Sequence, residues 1–161
     1  MTLDANLQAK LADYKPGEGR QTLTAAGDGW TATVAADHAN QVGCLVWELA
    51  VQRAGDAAGA GDAAAARAWG DRVARRATGL LEPLRLLEID AGRAEAVLRS
   101  DKPSRKGDDL FYYELHLHGT HSATARRYRQ GAAPGSHREQ VPYALTHEAL
   151  GKLAGDLTAD A

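Results

Sequence analysis

Leu110-Phe111-Tyr112-Tyr113-Glu114-Leu115-His116-Leu117-His118 is followed by Gly119-Thr120 and then by His121-Ser122-Ala123-Thr124-Ala125-Arg126-Arg127-Tyr128-Arg129. In the first run Phe111, Tyr113, Leu115 and Leu117 alternate with Tyr112, Glu114, His116 and His118. A period of two is that of a strand with one face in a core and the other turned away. Gly119-Thr120 between two such runs reads as a hairpin turn. A two-residue turn sets His121 opposite His118, Ala123 opposite His116, Ala125 opposite Glu114 and Arg127 opposite Tyr112. A chain built round this ribbon has antiparallel sheet at its centre.

The neighbouring segments extend the pattern. Leu84 to Asp90 and Ala94 to Arg99 flank Asp90-Ala91-Gly92-Arg93, a second hairpin. The polar stretches Ser100 to Asp109, with Pro103, and Gln130 to Gln140, with Gly131, Pro134 and Gly135, read as connecting loops. Nearer the N-terminus, Gln21 to Ala26 and Trp30 to Ala36 surround the tight turn Gly27-Asp28-Gly29. Gln41 to Gln52 fits two templates. Val42, Leu45, Val46 and Leu49 suit a helix with Asp37 as its cap; Leu45, Trp47, Leu49 and Val51 suit a strand. Gly43 and the β-favouring Val, Trp and Cys tip the reading to strand.

Three segments carry helical spacing. Leu3, Leu7 and Leu11 recur every four residues up to Tyr14, and Pro16-Gly17-Glu18-Gly19 breaks the run. After a Gly/Ala-rich loop, Ala54 to Gly61, Asp62 caps a helix whose apolar stripe is Ala66, Trp69, Val73, Ala77 and Leu80. Thr146 caps a last helix with Leu150, Leu153, Ala154 and Leu157 on one side. In that helix His147 reads as an exposed first-turn residue.

The order α-βββ-α-ββββ-α defines an α+β protein, a mainly antiparallel sheet with helices packed on one face, as a single domain over 1–161. The order resembles that of the small dimeric chaperones of type III secretion: helix, three strands, helix, strands, helix, with one hairpin more here. The likeness is one of element order, and no motif accompanies it.

Composition agrees with a globular chain. Of 161 residues, 44% are hydrophobic and 25% charged, which excludes disorder throughout. Lys plus Arg number 19 against 21 Asp plus Glu, a net charge of -2, so no basic excess marks a nucleic-acid or membrane-surface binder. About a fifth of the residues are Ala, with one Phe, one Met and one Ile, Ile89. Small side chains remove little area from water, so burial against a protein partner or a second copy is expected to help. Cys44 is the sole cysteine, which rules out an internal disulfide. No apolar run has membrane-spanning length and no signal-peptide core opens the chain, so a soluble, cytoplasmic protein is expected.

Two constellations carry possible chemistry. In the two-residue register His116, His118 and His121 share a sheet face with Glu114, a donor set suited to a divalent transition metal such as zinc, copper or nickel. The opposing view is that these residues are the ordinary polar side of a hairpin. Arg126, Arg127 and Arg129, beside Tyr112, Tyr113 and Tyr128, set cations against aromatic rings as polyanion binders do. Against this, Arg126 and Arg127 fall on opposite strand faces, and the arginines have acidic residues to pair with. Cys44, between Gly43 and Leu45, lacks the base a nucleophile needs and reads as a small buried apolar residue. The chain has no phosphate-binding Gly-rich loop ending in Lys, no Gly-x-Ser-x-Gly and no His-Glu-x-x-His, since Gly151 stands where the second His would follow His147. No catalytic residue is assigned. The reading is a non-catalytic binding or adaptor domain acting through a protein–protein surface, with a His-cluster metal protein or metal-dependent enzyme as the alternative.

Overall fold

The computed structural model describes residues 2–14, 19–55 and 62–159. Most of the breaker at Pro16 and most of the Gly/Ala-rich loop lie outside the described residues. The elements run α1 (Leu3–Asp13), β1 (Gln21–Gly27), β2 (Trp30–Asp37), β3 (Gly43–Arg53), α2 (Ala63–Arg76), β4 (Leu84–Asp90), β5 (Glu95–Ser100), β6 (Ser104–Lys106), β7 (Asp109–His118), β8 (Ser122–Gln130), β9 (Glu139–Val141), β10 (Tyr143–Thr146) and α3 (His147–Thr158). The strands form one antiparallel sheet with the path β1-β2-β3-β8-β7-β5-β4. The protein is therefore α+β, and the three helices share one face of the sheet with a single core cluster.

The helix starts are local chemistry. Asp62 Oδ1 accepts from the Ala65 N–H (2.8 Å) and Thr146 Oγ1 from the Ala149 N–H (3.0 Å), each satisfying a donor that the first turn leaves open. Leu3, Leu7 and Leu11 of α1, Trp69 and Val73 of α2, and Leu150, Leu153 and Leu157 of α3 face the core. The inner face of the sheet mixes sizes: Ala25, Ala32, Ala36, Ala96, Ala123 and Ala125 are buried beside Val34, Leu49, Leu98, Leu115 and Leu117. Trp30 of β2 and Trp69 of α2 pack against each other in this core (ring centroids 5.9 Å apart). The Trp69 indole N–H finds the Leu157 carbonyl at 2.9 Å, tying α2 to α3. α1 and α3 approach closely at Gly151, where a Cβ would crowd the side chains of Asp4 and Gln8 and press on the Asp4 carbonyl, so a larger residue would need α1 to give way there.

Five readings of the sequence change. The strand expected over 41–52 runs Gly43–Arg53, and Trp47 is a bulge residue: Ala35 pairs with Glu48 and Ala36 with Val46. The inward set is Cys44, Val46, Leu49 and Val51, and Leu45 and Trp47 turn outward. Short strands occur where loops were expected. β6 pairs with β7, and residues 139–146 rise along β8 and descend along β3, with Pro142 at the apex, filling the fork where β3 and β8 part. α2 ends at Arg76 rather than reaching Leu80. His147 is buried rather than exposed, because its first turn packs beside β3, where its N–H meets the Val42 carbonyl at 2.8 Å.

The largest correction concerns the central hairpin. Its loop is Gly119-Thr120-His121, so His118 faces Ser122, His116 faces Thr124, Glu114 faces Arg126 and Tyr112 faces Tyr128. One residue of slip sends every β8 side chain to the other face. Ala123, Ala125 and Arg127 turn inward, under the helices, and Ser122, Thr124, Arg126 and Tyr128 turn outward. Burial of two alanines favours this register. The turn is also tied to its neighbours, since the Gly119 N–H reaches the Ala94 carbonyl and the Arg53 N–H reaches the His121 carbonyl.

Candidate functional site

The face of the sheet away from the helices, here the outer face, is ordered by register into rows. One row runs Arg85, Arg99, Glu114, Arg126 across β4, β5, β7 and β8, and Arg126 meets Glu48 of β3 at 2.6 Å. The next holds Glu88, Val97, His116 and Thr124, and continues through Ala50, Thr33 and Thr24. The half formed by β4, β5, β7 and β8 is charged and aromatic. On β1 and β2 the same face is mostly Thr and Ala: Thr22, Thr24, Ala26, Thr31, Thr33 and Ala35.

Glu114 is the centre of the charged half. It is only 2% exposed, although it lies on the face without helices. Arg99 Nε (2.6 Å) and Arg138 Nη1 (2.7 Å) both donate to Oε2, and His116 Nε2 bonds Oε1 at 2.7 Å. The ionised carboxylate can only accept, so His116 carries its proton on Nε2. Burial alone opposes ionisation of Glu114. The hydrogen bonds from His116, Arg138 and Arg99 outweigh it and hold the carboxyl far below the usual carboxylate range. The hydrogen bond to Glu114 likewise raises the Arg138 guanidinium above the ordinary arginine value.

The aromatic residues complete the lid over Glu114. Arg138, from the loop before β9, lies 3.9 Å from the centroid of Tyr128, and Arg99 lies 5.4 Å from that of Tyr112. The two tyrosine rings are 5.9 Å apart and almost covered. The side chains of Arg99, Arg138 and His116 remain 43%, 37% and 40% exposed. The negative charge and the rings are thus sealed beneath, and what the cluster turns to solvent is the two guanidiniums and the His116 imidazole.

The residues singled out from the sequence are distributed unevenly. Glu114 and His116 are in contact. His118 shares their face but bonds Glu95 Oε1 through Nδ1 at 3.1 Å. His121 lies in the turn, off the strand face, because the loop is three residues long. Among the described residues no group of three His, Cys, Asp or Glu side chains is placed to hold a metal ion. Arg126, Arg127 and Arg129 do not form one patch. Arg126 pairs with Glu48, and Arg129 pairs with Glu139 (2.6 Å). Arg127 is buried on the inner face, where it grips Glu82 with two bonds of 2.8 and 3.1 Å. Cys44 is buried, and burial followed by the nearby Asp37 raises its thiol to about 11, so it is poorly suited to be a nucleophile at neutral pH.

Neither Arg99 nor Arg138 was singled out by sequence reasoning. Arg99 becomes conspicuous once β5 is known to pair with β7, since that register puts it directly against Glu114. Compared with protein-family models, with curated protein sequences and with solved structures, the chain has no significant match. Fold and site together define an α+β protein with an uncovered sheet face and a preassembled cationic–aromatic cluster upon it. No helix among the described residues is long and apolar enough to cross a membrane.

Proposed function

We propose that this protein is a non-catalytic binding or adaptor domain whose docking surface is the charged half of the outer sheet face, and that it receives an acidic segment of a protein partner. The observation that carries this reading is the Glu114 cluster: the carboxylate is buried, and the guanidiniums of Arg99 and Arg138 stay at the surface beside Tyr112 and Tyr128. Arginine and tyrosine are the side chains that dominate protein-binding surfaces. Here the carboxylate and the rings hold them in place, which lowers the entropy lost on binding. Each guanidinium has five N–H donors in a planar fork suited to carboxylates, and Arg99 and Arg138 spend one each on Glu114.

The test is calorimetric titration with a short oligoglutamate peptide at low and high salt. Saturable binding that weakens with salt and is lost in R99Q/R138Q is expected. No saturable binding by the unaltered protein at low salt, or equal binding by R99Q/R138Q, would overturn the reading.

A second reading has its own observation. His116 and His118 project from the same strand face, and each has a carboxylate on one ring nitrogen: Glu114 on Nε2 of His116 and Glu95 on Nδ1 of His118. Metal-bound imidazoles are oriented in this way. A divalent transition metal would take the two remaining nitrogens and draw further ligands from solvent or a partner. Zinc titration of the protein and of H116A/H118A distinguishes the two readings. Tight, saturable uptake lost in the double variant favours the metal.

A further inference from the structure

The two edges of the sheet end differently. β4 has a bulge at Leu87, bears Arg85, Glu88 and Asp90, and follows Pro83. Charges, bulges and Pro are the devices by which sheet edges avoid further pairing. β1 has none of them. Gln21–Gly27 carries no charge and no Pro, and it pairs with β2 through seven consecutive positions with no register shift.

The turn decides what β1 offers. Asp28 and Gly29 (φ +54° and +80°) form a two-residue loop closed by Gly27 and Trp30. In such a hairpin the closing pair exchanges both backbone bonds. Alternation then gives Ala25, Leu23 and Gln21 to β2 and aims the N–H and C=O of Thr22, Thr24 and Ala26 at the open edge. The Ala26 carbonyl is taken by Asn6 Nδ2 at 2.6 Å. The edge-facing backbone groups of Thr22 and Thr24 meet no hydrogen-bond partner among the described residues.

We propose that β1 pairs with β1 of a second copy of this chain, antiparallel about a two-fold axis through Leu23, so that two sheets become one. In this register Thr22 faces the partner's Thr24 and Thr24 faces the partner's Thr22, and all four open backbone groups on each strand find partners. Leu23, half-buried on the helix side, meets its own counterpart. The strand suits a copy of itself because it carries no charge to repel across the axis. Asn6, which bonds Ala26, marks the flank of α1 beside this edge, and helix spacing puts the exposed Lys10 and Asp13, four and seven residues on, on that same flank, one charge of each sign. A two-fold contact of this kind is self-complementary and closed, and the charged, bulged β4 edge does not propagate it.

Sedimentation equilibrium of the full chain, combined with amide hydrogen exchange at low and high protein concentration, tests the proposal. A monomer–dimer equilibrium is expected, with the Thr22 and Thr24 amides slowing as the dimer fills. T22K/T24K alters two exposed outward side chains and sets lysines opposite one another across the axis. It should weaken the dimer by about tenfold or more while leaving the circular dichroism unchanged. A monomer at every concentration, a dimer equally populated in T22K/T24K, or Thr22 and Thr24 amides that exchange at the same rate throughout would overturn it. The peptide titration concerns a different face, so the two proposals fail separately.

Discussion

Two glutamates in this protein are almost withdrawn from water, Glu82 at 4% and Glu114 at 2% exposure, and each is held by arginine. Their surroundings differ. Glu82 lies on the inner side, bonded twice by Arg127 and once each by Ser100 and Ser104 at 2.8 Å, and Arg127 itself is 6% exposed. The Ser100 hydroxyl also accepts from the Tyr113 N–H, so the loop after α2, β5, β6, β7 and β8 meet in one closed network. Glu114 lies on the outer side, and its arginines are exposed. The inner assembly spends its cation on the fold. The outer assembly keeps its cations at the surface, where another molecule can reach them. The same pair of residue types serves stability in one place and availability in the other, and the difference is whether the arginine is buried along with its carboxylate.

Breaking the inner pair should have the largest effect. R127A leaves the Glu82 carboxylate buried without its cation, which costs about 3–5 kcal/mol, read as a lower urea midpoint with an unchanged slope. E114Q keeps the shape of the outer carboxylate and removes its charge. Because the arginines there are open to solvent, the expected loss is about 1–2 kcal/mol, together with faster hydrogen exchange in the loop that carries Arg138. An inner loss no larger than the outer one would erase the contrast.

Acid sharpens the comparison. Both carboxyls are held below their ordinary 4.5 in the folded protein. On unfolding they return toward that value, so at low pH the unfolded chain binds more protons. Their stabilisation is complete above 4.5 and declines progressively as the pH falls below it. Unfolding measured from neutral to strongly acidic pH should show this decline, with a shallower slope in E114Q. The smallest stability effect belongs to the exposed cations. R99Q or R138Q alone should change stability by no more than about 1 kcal/mol, while peptide binding, on the reading above, falls sharply. A large stability loss from R99Q would mean that the outer cluster is structural like the inner one.

The alternation of Tyr113, Leu115 and Leu117 with Glu114, His116 and His118 made the faces of β7 legible. The face assignment of β8 was not legible in the same way. Ser122 to Arg129 is a poorer alternating pattern, since Ala123 and Ala125 suit either side, so its register rested on a loop length. A loop of three residues instead of two moved Arg127 from the outer face to the core and took His121 out of line with His116 and His118. The bulge at Trp47 had a similar effect on β3: the period was read through it, and Leu45 exchanged faces with Val46. The short strands β6 and β9 were hidden because they are brief and mostly polar, although each pairs with its neighbour in the chain, β7 and β8; β10 is equally brief, and its partner β3 lies far away in sequence.

Local sequence determined what depends on near neighbours: the caps at Asp62 and Thr146, the apolar stripes of the helices, the turn at Asp28-Gly29 and the α+β order. These follow from backbone geometry and from side chains three or four residues apart. Tertiary structure alone decided that Arg127 would find Glu82, that Arg99 and Arg138 would converge on Glu114, and that β1 would stand at the end of the strand path. Those partners are 45, 15 and 24 residues apart in sequence. Their meeting depends on strand register, which is set by the total burial of both faces of the sheet and not by any short run of residues.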